Sequence, residues 1–281
     1  MRAKFGPAGN SDSFSKAYKS SLKAPAWIAA QGLDCYEYQC GKGVHIGEEA
    51  AVKLGQEAVK AGISLSLHAP YFINLANPDP ESLKKTIGYI TQACFAAQCM
   101  GAGRVVIHSG ALMKRTRREA QEIALKSMKE VITACDDAGY ENIALCPETM
   151  GKINQLGDLN EVLQLCLVDE RFIPCIDFGH LNARTVGRVN SFEDVGKVFE
   201  AMENTLGTDR MRAFHSHFSK IEYTAGGEKQ HLTFEDAVFG PQYEPLLDLL
   251  YERSLAPVII CESAGTQSED AAAMSRYYAA L

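Results

Sequence analysis

The sequence predicts an α/β fold, a (β/α)8 TIM barrel in a single domain, and three observations carry that prediction. Strand-like and helix-like segments alternate eight times along the chain, which is the pattern of a parallel sheet with crossover helices. Each unit takes roughly 30 to 40 residues, the spacing of this architecture rather than of a short repeat. Finally, the apolar runs stop abruptly at a histidine or a carboxylate, as expected where strands empty into the active end of a barrel.

The strands are read in order as Ala3 to Gly6, Cys35 to Gln39, Ile63 to His68, Arg104 to His108, Ile143 to Glu148, Ile173 to Asp177, Met211 to Phe218 and Pro257 to Glu262. Each is a short apolar run, too brief for a helix. Between them lie amphipathic stretches at Glu48 to Ala61, Glu81 to Met100, Arg117 to Ala138, Leu159 to Cys166, Phe192 to Leu206, Pro245 to Ser254 and Ser268 to Leu281. The stretch Pro174 to Asn182 is central: its apolar run ends in Asp177 and then His180, a hard oxygen and an imidazole carried into a loop.

With 281 residues, 46% of them hydrophobic, and no Pro-, Gly- or Ser-rich linker, one domain is the expectation. No apolar stretch approaches the roughly 18 to 20 residues of a membrane span, and Met1-Arg2-Ala3-Lys4 lacks the apolar core of a signal peptide, so a cytoplasmic protein is expected, with no membrane partner and as a monomer. The nine cysteines are scattered without a C-x-x-C pair and read as reduced core residues. A net charge of −7 argues mildly against nucleic acid, although bound cations or a local basic patch can offset it.

His68, His108, Glu148, Asp177, His215 and Glu262 each close a different strand, which would gather them at the barrel mouth. Six of the seven histidines, 68, 108, 180, 215, 217 and 231, fall at strand ends or just beyond. A lone histidine at a strand end is usually a hydrogen-bonded core residue, but six beside three buried carboxylates call for cations. Catalytic zinc takes three protein ligands and water, so this surplus implies two or three ions. Imidazole with carboxylate favours Zn2+, with Mn2+ or Fe2+ as replacements. Such clusters suit displacement at phosphorus.

The segments His68-Ala69-Pro70-Tyr71-Phe72-Ile73-Asn74-Leu75-Ala76, Val106-Ile107-His108-Ser109-Gly110, Glu148-Thr149-Met150-Gly151, Asp177-Phe178-Gly179-His180 and the terminal Glu262 resemble the endonuclease IV family of abasic-site endonucleases, within the xylose-isomerase-like barrels. The resemblance runs the length of the chain. It implies that His68, His108 and a bridging Glu148 hold one ion, that Glu148, Asp177, His215 and Glu262 hold a second, and that His180 with His231 holds a third. It further implies hydrolysis of duplex DNA on the 5′ side of an abasic site, with Glu148 and Glu262 as catalytic carboxylates. Tyr71 and Phe72 would meet the bent duplex, and Lys114, Arg115, Arg117 and Arg118 its phosphates.

Four segments depart from the family pattern. The first strand runs into Gly6-Pro7-Ala8-Gly9-Asn10 without its histidine; the loop Gln39 to Ile46 lacks the usual basic and aromatic residues; and the seventh-strand motif reads His215-Ser216-His217-Phe218-Ser219-Lys220. The Asp-x-His motif of the third ion reads Lys229-Gln230-His231. Since an ammonium cannot ligate, either Glu228 or His217 substitutes or the cluster holds two ions. Glu148, Asp177, His215 and Glu262 alone would also serve a single-metal sugar isomerase or epimerase on the same barrel. A divergent DNA- or metal-binding protein without turnover is the third reading.

Overall fold

The computed structural model describes residues 2–281. Its strands are β1 (Lys4–Pro7), β2 (Cys35–Gln39), β3 (Ser64–His68), β4 (Arg104–His108), β5 (Ala144–Glu148), β6 (Cys175–Asp177), β7 (His215–Phe218), β8 (Ile221–Thr224), β9 (Gly227–His231) and β10 (Val258–Cys261). Eight of them form one parallel sheet in the order β1-β10-β7-β6-β5-β4-β3-β2. The sheet curls until its ends meet: Ala8 bridges Glu37 in parallel register, and Gly9 N donates to Glu37 O at 2.8 Å. Gly6 permits this approach, because a methyl group there would overlap the Cys35 carbonyl.

Strands covered on both faces should be apolar throughout rather than alternating. Val105, Val106 and Ile107 of β4 are all fully buried. The surrounding helices begin and end where local chemistry dictates. Pro80–Met100 starts on the Asp79 side chain, which accepts from Ser82 N, and stops at Gly101 with φ 71°, a left-handed cap that glycine adopts without strain. Arg117–Asp137 opens with a reciprocal capping box between Thr116 and Glu119; Thr116→Ala would cost about 1 kcal/mol. Helix faces then bury large side chains such as Ile90, Phe199 and Leu54, each stabilising by about 1.5 to 3 kcal/mol relative to exposure.

The structure revises four readings. The predicted strand Met211 to Phe218 begins only at His215, because Thr208–Arg212 forms a helical turn with Asp209 in its first turn and arginines in its last, charges that suit the helix dipole. The segment after Asp177 is the helix Phe178–Arg184, not a loop. Two further helices, Asp12–Ala17 and Ala24–Ala30, fill the connection from β1 to β2. The antiparallel hairpin β8–β9 lies outside the barrel sheet; its strands are short and polar, so they carry no apolar run to read. All nine cysteines are free, and all but Cys99 are buried. No helix among the described residues is long and apolar enough to cross a membrane.

Candidate metal centre at the barrel mouth

The carboxyl ends of β3, β4, β5, β6, β7 and β10 bring their polar residues together with two from the hairpin. His68, His108 and Glu148 form one group whose ligand atoms lie within 4.8 Å of one another. His68 Nε2 and His108 Nε2 each stand 3.3 Å from Glu148 Oε2. Their other nitrogens are committed: His68 Nδ1 donates to Ala69 O at 2.7 Å and His108 Nδ1 to Tyr71 O at 2.9 Å. This leaves both Nε2 atoms facing Glu148 and the mouth, the orientation that backbone carbonyls impose on ligating imidazoles.

A second group is Glu148, Asp177, His217 and Glu262. His217 Nδ1 lies 3.0 Å from Glu148 Oε1 and 3.4 Å from Glu262 Oε1. Asp177 Oδ1 caps the following helix by accepting from His180 N at 2.7 Å. Its Oδ2 is buried without a hydrogen-bond partner; His180 Nδ1, 3.1 Å away, is aligned instead on Thr149 O at 2.9 Å. An orphaned carboxylate oxygen costs free energy unless something electropositive meets it, and a cation held by this group would do so.

The third group is His180, Glu228 and His231. Glu228 Oε2 is 3.4 Å from His180 Nε2, and His231 Nδ1 is held by Ser219 Oγ at 2.8 Å. Residues three apart on a regular strand point to opposite faces. Here the register shifts: Tyr223 pairs with Glu228 and Glu222 with Gln230, so Lys229 is bulged out, and the extra residue returns Glu228 and His231 to one face. Lys229 turns away, to Glu222 Oε1 at 2.6 Å. Gly151 leaves the space, since a methyl group there would press on both Glu228 and His180.

His215 is not in the second group. In the parallel register His217 is level with Asp177, whereas His215 is level with Cys175, two residues deeper in the barrel. There His215 Nε2 meets Glu37 Oε2 at 2.9 Å. Both histidines lie on one face of β7, so alternation alone could not choose between them. Glu37, which sequence reasoning passed over inside an ordinary apolar strand, is fully buried.

The charges hold one another in place. Burial would raise Glu148, but the surrounding imidazoles, His217 foremost, keep it well below the usual carboxylate range. His68 rises to about 9, Glu148 outweighing the burial that would lower it; His180 and His217 likewise rise well above the ordinary imidazole value despite burial. Asp177 is raised by burial. His215, buried where Glu37 does not fully compensate, falls to about 4. Protonated imidazoles thus balance the carboxylates in the absence of cations, and divalent ions would take over that role.

The groups open onto a cavity of about 310 Å³ walled also by Gln39, Tyr71, Met150 and Lys152. Larger hollows of about 440 and 660 Å³ lie among the outer helices and contain none of these ligands. Tyr71 stands on the rim, 59% exposed, and Phe72, 43% exposed, packs edge-on against it and Tyr89. Of the basic residues after β4, Arg117 is turned inward to Glu161 and the Ile153 and Gln155 carbonyls, and Arg118 pairs with Glu122 at 3.0 Å. Neither is directed at the cavity.

Comparison with known proteins agrees with this geometry at the level of the family. A family model described as a xylose isomerase-like TIM barrel matches residues 25–278. An uncharacterised protein of Methanocaldococcus jannaschii is 31% identical over 245 residues, 87% of either chain. A probable endonuclease 4 of Acholeplasma laidlawii is 26% identical over 204 residues, 70% of this chain and 67% of its own. Among solved structures, a D-tagatose 3-epimerase-like protein superposes with a TM-score of 0.74 at 19% identity, over 99% of this chain and 97% of its own. Endonuclease IV from Thermus thermophilus gives 0.65 at 19% identity, over 100% and 98%. Eight parallel strands closed on themselves, a polar constellation at their carboxyl ends and a match spanning most of the sequence lead to one conclusion: the chain belongs to the xylose isomerase-like TIM barrel family.

Proposed function

We propose that this enzyme is a metal-dependent phosphodiesterase of the endonuclease IV type, cleaving duplex DNA 5′ to abasic sites. The observation that carries the proposal is that, of the overlapping groups at the mouth able to hold a cation, two share Glu148 and another is anchored by His180 beside it. Zinc or a similar divalent ion held there would lower the pKa of water and neutralise charge on a phosphodiester.

The protein's own residues supply the remainder. Glu148, 1% exposed, orients four imidazoles and has no freedom to leave them. Glu262 is the more open carboxylate at 15% side-chain exposure, with Oε1 turned to His217 Nδ1, so its other oxygen is the one that takes a proton from water entering the cavity. Tyr71 and Phe72 offer apolar faces at the rim, where a duplex interrupted by a missing base would meet them. A cavity of about 310 Å³ is on the scale of a single sugar-phosphate unit, which would suit a flipped-out abasic nucleotide.

A single-metal sugar epimerase is the second reading, favoured by the sufficiency of Glu148, Asp177, His217 and Glu262 for one ion. It gives His68, His108, His180, Glu228 and His231 no metal role. The deciding experiment incubates zinc- or manganese-loaded protein with a duplex containing one abasic-site analogue and, separately, with a ketohexose. A nick leaving a 3′ hydroxyl, absent in Glu148→Gln, is expected. Epimerised ketose with an intact duplex would overturn the proposal.

A further inference from the structure

We infer that Glu37 is a positioning residue that fixes the tautomer of His217 and so tunes the ion held by Glu148, Asp177, His217 and Glu262, with His215 as its anchor. The inference rests on the metal reading of the barrel mouth and adds to it a carboxylate that touches no ion.

Glu37 sits on β2 with its side chain wholly inside the barrel. A buried carboxylate of this kind is tolerated only when donors surround it. Four groups do so. Ser66 Oγ donates to Oε2 at 2.8 Å, His215 Nε2 meets the same oxygen at 2.9 Å, and Gln39 Nε2 donates to Oε1 at 3.1 Å. His217 Nε2 is the fourth, 2.9 Å from Oε1, close but off the line of a hydrogen bond. Even out of line, a negative charge at that distance favours the proton on Nε2. Nδ1 itself donates to Glu148 Oε1 at 3.0 Å; a cation held by Glu148 and Glu262 would displace that proton, and Nε2 would keep its own beside Glu37.

His215 acquires a purpose from the same geometry. It lies one layer below His217 and holds the carboxylate from beneath, which accounts for a His-Ser-His sequence where a single ligand needs one histidine. Ser66, two residues before the ligand His68 on β3, holds it from the side. The arrangement is a carboxylate–imidazole–metal relay, and outer partners of this type are typically worth about 10- to 100-fold in metal affinity.

Glu37→Gln tests it. Either orientation of the amide removes the charge that favours the proton on Nε2, and with its NH2 facing His217 the proton would move to Nδ1 and obstruct the ion. Zinc affinity is measured by competition with a chromophoric chelator on chelator-stripped protein, and Co2+ absorption reports the surroundings of each ion. One site weakened by about 10- to 100-fold with the others unchanged is expected. Glu37→Asp should recover most of that loss, because it retains the charge; a role in packing alone predicts that Asp, a methylene shorter, does worse than Gln. Wild-type affinities at every site of Glu37→Gln would overturn the inference, whereas wild-type protein that takes up no ion would overturn the metal reading along with it. Should Glu37→Gln not fold, Ser66→Ala, which removes one donor to the carboxylate with almost no change of volume, decides: a severalfold weakening of one site supports the inference, and unchanged affinity refutes it.

Discussion

Replacing Glu228 with Gln isolates the third ligand group, because it keeps the side-chain shape and removes one negative charge. A unit charge at the 3.4 Å separating Glu228 Oε2 from His180 Nε2 is worth about 1 kcal/mol at a dielectric near 80 and about 5 kcal/mol near 20. With 13% side-chain exposure Glu228 falls between these limits. The middle of the range, about 3 kcal/mol, corresponds to roughly a hundredfold loss of affinity. Elemental mass spectrometry after gel filtration should then count one ion fewer than in wild type, the other sites staying filled. Lys229 provides two internal controls. Lys229→Asp should leave the count unchanged, since that side chain faces Glu222 rather than the cavity. Deleting Lys229 should also preserve the ion, because removal of the bulged residue leaves Glu228 and His231 two apart on one face of a regular strand. An unchanged ion count and affinity in Glu228→Gln would refute the assignment of Glu228 to the third group, and loss of the ion on deleting Lys229 would refute the account of the bulge.

Three further outcomes are expected. Tyr71→Ala should weaken binding of an abasic-site duplex by about 1 to 3 kcal/mol if the ring meets a base; its 59% exposure predicts a thermal midpoint close to wild type, and unchanged affinity in a filter or fluorescence assay would remove it from the interface. Glu161→Gln should destabilise the fold by about 2 kcal/mol, read from the denaturant midpoint, because Glu161 accepts from Gly157 N, Asp158 N and Arg117; the buried ion-pair figure is discounted because Arg117 is a third exposed. Zinc affinity should fall with decreasing pH. His68, with its pKa raised to about 9, binds a proton below that value, and zinc requires it neutral, so each unit below about pH 9 costs this site up to tenfold. Calorimetry in buffers of different ionisation heat should register proton release on zinc binding at about pH 7; its absence would refute the competition.

The linear pattern of the chain was enough for the barrel and most of its mouth. Eight apolar runs alternating with amphipathic stretches leave few architectures, and a polar residue closing each run marks its carboxyl end. His68, His108, Glu148, Asp177, His180, His231 and Glu262 are brought together as their strand and loop positions suggested. What remained open depended on depth and face rather than on residue type. The choice between His215 and His217 is set by how β6 and β7 align, with Asp177 opposite His217, and neither strand's own sequence contains that register. Glu228 joins the third group because the hairpin bulges at Lys229; bulges come from pairing with another strand, so a pattern read along one strand misses them. Glu37 is one acid within an apolar run, and its importance comes from Ser66, His215 and His217, distant in sequence and packed around it only once the sheet has closed. Chemistry confined to one segment could be read from the chain, whereas chemistry made by neighbouring strands required the closed barrel.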